Sequence, residues 1–165
     1  MNFKFSTIAH KNHVFCSPLN SDKLNNLIDI LPLNENSKVI DIGCGKGEIL
    51  LRLIEKFNLQ ALGVDLCKEW LEVGQDNEIK RINSKKLELI ELDINNYSYE
   101  PNIFDLVICN TAIHSFGTYE KALEQLKKFA KPKALIFIGH PYWKKEPEPE
   151  YLDFFGSPLD CYHSH

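Results

Sequence analysis

Apolar and polar residues along this chain follow two alternating periods. Residues 21–31, SDKLNNLIDIL, put Leu24, Leu27, Ile28 and Leu31 at helical spacing, with Ser21 as N-cap and Pro32 as stop. KVIDI at 38–42 is a short apolar run rich in β-branched residues that ends at glycine, which predicts a buried strand. Residues 47–57 return to the helical period through Ile49, Leu50, Leu53, Ile54 and Phe57, and QALGVDL at 60–66 reads as a second strand. A helix over 68–82 follows, weakened by Gly74 and Asn77. KLELIELD (86–93) and IFDLVICN (103–110) are the third and fourth strands. Thr118 caps a helix over 118–130 with Ala122, Leu123, Leu126 and Phe129 inward; Lys131-Pro132 ends it, and KALIFIG (133–139) is the fifth strand.

Strands that are apolar throughout and alternate with helices predict a parallel sheet covered on both faces. With right-handed crossovers this is a doubly wound α/β domain. The whole chain, 1–165, reads as one domain: an irregular N-terminal arm over 1–20, the α/β core over 21–139, and an aromatic, proline-rich tail over 140–165 without a clear strand.

Composition narrows the class. A hydrophobic fraction of 44%, a charged fraction of 25% and a net charge of −4 are ordinary for a soluble globular protein and carry no broad basic face for nucleic acid. Cys16, Cys44, Cys67, Cys109 and Cys161 are odd in number and form no CxxC pair, so reduced thiols are expected rather than a disulfide framework or a zinc site. No run approaches the length of a membrane span and the N-terminus has no signal-peptide core. The expectation is a cytoplasmic protein, without a metal site.

The chemistry is concentrated at strand ends. In an open α/β sheet, ligands sit beyond the carboxyl ends of the strands, and VIDIGCGKGEIL (39–50) places a glycine turn there. A P-loop needs GxxxxGK[ST], but Gly47 follows Lys46 and residue 40 is Ile. A dinucleotide fingerprint needs a third glycine at residue 48, which is Glu. What remains is DxGxGxG from Asp41 to Gly47, joined by Asp65 about 20 residues on, where such folds bring a carboxylate to ribose hydroxyls, and by Asp93 at the end of the third strand. Asp65 also reads as an N-cap for the helix from 68 onward, a role compatible with the first, and Asp93 alone reads nearly as well as a solvated loop carboxylate.

Taken in order, these motifs resemble the class I S-adenosylmethionine-dependent methyltransferases, over roughly residues 5–152. HPYWKKEPEPEYL (140–152) and HKNHVFCSPLNSDKL (10–24) are similar to segments of a subfamily of small enzymes with "PYW" after the fifth strand. The resemblance implies a Rossmann-like fold, S-adenosyl-L-methionine as cofactor, and a cofactor site of Asp41, Gly43, Gly45, Asp65, Leu66, Asp93, Ile94 and Asn110. In it, Asp41 favours the ammonium group, Asp65 the ribose, Leu66 the adenine ring and Asp93 the adenine amino group, while the carbonyl near Asn110 meets the ammonium. His114 is the candidate catalytic base, with His140, Tyr142 and Trp143 as walls of the acceptor pocket; each of these is equally a packed loop or cluster residue. His10 and His13 read as exposed arm residues or part of a lid.

The family's sheet normally ends in a sixth and a seventh strand, and only 26 residues follow the fifth strand here. The fifth strand is therefore expected to be an edge, covered by the tail or by a homodimer partner. The double proline typical of nucleic-acid and protein-amine methyltransferases is absent after Asn110, which favours a small-molecule acceptor. The alternatives are a catalytically inactive, C-terminally truncated protein that binds S-adenosylmethionine or a partner, and, disfavoured by Glu48, a nicotinamide-dependent oxidoreductase.

Overall fold

The computed structural model describes residues 3–98, 100–156 and 162. Five strands, β1 (Lys38–Ile42), β2 (Gln60–Asp65), β3 (Leu87–Glu91), β4 (Phe104–Asn110) and β5 (Ala130–Gly139), form a parallel sheet in the order β3-β2-β1-β4-β5. The helices are α1 (Lys4–Ala9), α2 (Ser21–Ile30), α3 (Glu48–Phe57), α4 (Lys68–Arg81), α5 (Tyr119–Phe129) and α6 (Pro149–Phe155), with short 3-10 turns at Ile94–Asn96 and Ile113–Phe116. Among the described residues no helix is long and apolar enough to cross a membrane.

The strand side chains supply two cores. Val39, Ala61, Leu87, Leu106 and Ile108 pack with α2 and α3 on one face, and Ile40, Ile42, Val64, Val107 and Cys109 pack with α5 on the other. Both faces of β1 are thus buried, which is why its sequence shows no polar alternation. The sheet order reverses between β1 and β4, and the crevice at that switch point is where α/β sheets bind ligands. A charge network centred on a buried carboxylate ties α4 to α3: Glu48, 7% exposed, accepts bonds from Arg52 and Arg81, and Arg81 also grips Glu55 nearer the surface.

Four details depart from the sequence pattern. The N-cap of α2 is Asn20, whose side chain accepts the Lys23 N–H, and Ser21 is the first helical residue. The arm is not wholly irregular, because Lys4–Ala9 forms a short helix that buries none of its side chains and so leaves no hydrophobic period. The tail contains α6, opened by Pro149. Strand β5 starts at Ala130 rather than 133, since Lys131 Nζ is held 2.8 Å from Asp105 Oδ2 and the β4–β5 register shifts between Phe104 and Leu106. Pro132 is tolerated because β5 is an edge strand, paired among the described residues with β4 alone.

Gly74, a weak point of α4 by propensity, has a packing reason. A Cβ there would lie 2.7 Å from the Lys46 carbonyl oxygen and 2.8 Å from Leu89 Cδ1. Its absence lets α4 rest directly on the backbone of the 43–47 turn. In an exposed helix Gly→Ala raises stability by about 1 kcal/mol; here the clash is with backbone, and Gly74→Ala is expected to lower stability by about 1–3 kcal/mol, read by urea denaturation. A higher midpoint in the variant would refute the close approach.

Candidate active site

The chain leaves β1 through a turn in which Gly43, Gly45 and Gly47 have φ of 74°, 56° and 67°. This left-handed region is costly for residues with a Cβ. The turn is pinned to β2: the N–H groups of Gly43 and Cys44 donate to the Val64 carbonyl at 2.8 and 3.1 Å, and the Gly45 N–H donates to Asp65 Oδ2 at 2.8 Å. Gly47 then caps α3.

Beyond the turn lies a cleft of about 460 Å³. All eight residues expected to hold a cofactor line it: Asp41 and the glycines at the end of β1, Asp65 and Leu66 at the end of β2, Asp93 and Ile94 after β3, and Asn110 at the end of β4. Sequence separation here becomes adjacency because parallel strands bring their carboxyl ends to one edge.

Asp41 is the most unusual group. It is 1% exposed, its Oδ1 has no hydrogen-bond partner among the described residues, and it lines the cleft. Burial, with a further contribution from the charge of Asp65, raises its pKa to about 7. A buried carboxylate oxygen without a donor fits a ligand that carries one. Asp65 is not the N-cap of α4, which is Cys67; its two oxygens accept the N–H groups of Gly45 and Cys67 and join turn to helix. Asp93 caps the 3-10 turn at Ile94–Asn96 and accepts from Asn95.

His114 lies in the second 3-10 turn, exposed at the cleft. His140 and Tyr142 are not among the residues lining the cleft. The His140 ring packs against Tyr119 and Tyr162, with centroids 5.8 and 5.5 Å away, and Tyr142 is 51% exposed. Trp143 packs on Tyr151 and Tyr162, so the aromatics after β5 gather into a cluster under the tail. The structure brings His114 to the residues expected to hold a cofactor and leaves His140 and Tyr142 apart from them.

The cleft also has a roof that the sequence pattern left unassigned. Phe3, Val14, Phe15, Cys16 and Ser17 of the arm line it, together with Trp70 from the first turn of α4. Ser17 Oγ accepts the Asn110 Nδ2 hydrogen at 2.9 Å across the cleft. Gly139 of β5 makes room for the Asn110 side chain, since a Cβ there would fall 1.9 Å from Asn110 Oδ1. Trp70, five residues past Asp65 at a strand's carboxyl end, was the one roof residue with a positional signal. Of the five cysteines, Cys161 lies outside the described residues and the other four are free thiols; burial raises the pKa of Cys67 to about 11 and of Cys109 to about 12.

Residues 33–152 match the family described as "Methyltransferase domain". The chain belongs to this methyltransferase family. An uncharacterised protein of Rickettsia prowazekii is 36% identical over 126 residues, covering 70% of this chain and 48% of that protein. The phosphoethanolamine N-methyltransferase of Plasmodium falciparum is 28% identical over 137 residues, covering 81% and 49%. Among solved structures, a SAM-dependent methyltransferase of Geobacter sulfurreducens in complex with S-adenosyl-L-homocysteine superimposes with a TM-score of 0.90 at 21% identity, over 98% of this chain and 65% of that one. The fold is thus the Rossmann-like methyltransferase fold, and this chain spans about half the length of the curated relatives it matches.

The raised Asp41 pKa has a definite sign. Between its ordinary value of 3.8 and about 7, the folded protein keeps a proton at Asp41 that the unfolded chain has lost. Stability is therefore withdrawn as pH rises through that window. Asp41→Asn is expected to be more stable than the parent at pH 8, by on the order of 1–3 kcal/mol, with a smaller difference at pH 5. Urea denaturation at both pH values decides this; an equal difference at the two would remove the ionisation of Asp41 as the cause.

Proposed function

We propose that the cleft binds S-adenosyl-L-methionine and that the chain transfers its methyl group to a small-molecule acceptor. The observation that carries this reading is the buried Oδ1 of Asp41, without a hydrogen-bond partner among the described residues, lining a cleft whose floor is a left-handed glycine turn. The family membership supports methyl transfer, and the relatives whose names state a substrate, such as phosphoethanolamine N-methyltransferase, support a small acceptor.

When bound, S-adenosylmethionine supplies an electrophilic methyl group on a sulfonium. The work left to the protein is alignment, worth roughly 7–11 kcal/mol in favourable systems. Asp41 holds the cofactor's ammonium, and the glycine turn lets backbone approach it. Asp65 retains lone pairs beyond the two backbone bonds it accepts, and takes the ribose hydroxyls with them. Leu66 and Ile94 flank the adenine, Asp93 meets its amino group, and Asn110 closes the ammonium side. His114 takes the proton from an acceptor that must lose one, as the only histidine lining the cleft among the described residues. A cytoplasmic homodimer joined through the β5 edge completes the reading, and light scattering tests that assembly.

Titration calorimetry with S-adenosylmethionine, S-adenosylhomocysteine and NAD tests the cofactor. Heat is expected from the first two and none from NAD; binding of NAD alone would overturn the proposal. Asp65→Ala should weaken S-adenosylhomocysteine by roughly 10–100-fold, as expected for a lost hydrogen bond to a charged group. His114→Ala should slow methyl transfer to phenol or amine acceptors by about 100-fold or more while leaving cofactor affinity unchanged. Unaltered turnover would exclude His114 as the base.

A further inference from the structure

Lys46 sits inside the glycine turn and is only 7% exposed. Among the described residues no carboxylate pairs with it. Its Nζ instead donates to three backbone carbonyls of the arm: His10 at 2.7 Å, Lys11 at 3.1 Å and His13 at 2.7 Å. An ammonium has three hydrogens, so every donor of Lys46 is spent on a single stretch just past the end of α1. Cations favour that end of a helix. Lys46 therefore has no hydrogen left for a ligand in the cleft, although it lies on the cleft's wall.

The two ends of the arm are held differently. From Phe15 onward it is fixed: Phe15 and Leu19 pack on the core, the Arg52 guanidinium lies 5.1 Å from the Phe15 ring centre, and Ser17 bonds Asn110. Before Phe15 it is barely packed. No residue of α1 is buried, and Phe5 and Ile8 are 82% and 65% exposed. Its attachments to the body include the Lys46 bonds and looser ring contacts of Phe3 and His10 on Trp70, with centroids 6.2 and 6.1 Å away. Yet this poorly packed segment supplies Phe3, Ser6 and Val14 to the cleft lining. Segments with few buried apolar contacts open at small free-energy cost.

We propose that residues 3–14 form a flap hinged at Phe15, that Lys46 is its latch, and that release of the three carbonyls from the ammonium governs ligand entry and exit. Lys46 acts here as a positioning residue: it keeps one wall of the cleft in place through the arm and touches no ligand itself. The part concerning the cofactor rests on the S-adenosylmethionine reading above, and the latch itself does not.

Hydrogen exchange on the full chain, combined with stopped-flow tryptophan fluorescence, tests this. In Lys46→Met the amides of residues 4–14 should exchange at least tenfold faster than in the parent, with those of β1 and β4 within twofold. S-adenosylhomocysteine should dissociate at least tenfold faster. Lys46→Arg keeps the charge, but no guanidinium nitrogen carries three hydrogens, so it should give intermediate values; it also serves as the test variant if Lys46→Met does not fold. Flap exchange equal to the parent's in a folded variant overturns the latch. A faster-exchanging flap with unchanged dissociation overturns the control of ligand traffic. If the parent chain binds no S-adenosylhomocysteine, the cofactor reading fails, while flap exchange still decides the latch.

Discussion

The turn from Gly43 to Gly47 passes through left-handed backbone three times, and its neighbours come to contact distance of its main chain to hold it there. Val64 and Asp65 bind its N–H groups, Gly74 brings α4 onto the Lys46 carbonyl, and Ala112 closes against Gly43, where a Cβ would meet its own at 2.3 Å. With side chains at these positions the strand ends would be pushed apart and the crevice between β1 and β4 would lose its floor. The site is thus a consequence of how closely backbone can approach backbone at one strand end.

That closeness also explains the electrostatics. Packing α4, β2 and β4 around the turn removes water from Asp41, and the carboxylate of Asp65 adds a like charge nearby. An apolar residue at 41 would suit the fold better. A group that is unfavourable in the free protein and suited to a cationic ligand is what a binding site built at the expense of stability looks like. Lys46 presents the reverse case: a buried cation satisfied wholly by carbonyl dipoles, which carry no net charge and belong to a loosely packed segment.

The chain spans about half of the relatives it matches, and the described sheet has β5 as an edge. The first four strands nevertheless suffice to bring Asp41, Asp65, Asp93 and Asn110, the residues proposed to hold the cofactor, to one cleft. The side chains proposed for the acceptor are less concentrated. His114 faces the cleft, whereas the aromatics after β5 form their own cluster around His140 and Trp143.

What the sequence determined by itself was whatever local periodicity and strand-end chemistry encode. Apolar runs and 3.6-residue spacing placed the five strands and the helices of the core within a few residues, because burial of a face leaves a repeating mark on its own segment. The glycine turn and the acids at the ends of β1, β2 and β3 were legible for a similar reason: parallel topology converts their order into proximity. The tertiary structure alone decided that the arm roofs the cleft, that Gly74 is a contact rather than a defect, and that His140 and Tyr142 stand apart. It also set the proton affinity of Asp41. These features depend on partners tens of residues away, and several of those partners are main-chain carbonyls or the mere absence of a Cβ. Every residue has a carbonyl, so the three that hold Lys46 leave no trace in the sequence until the chain is folded.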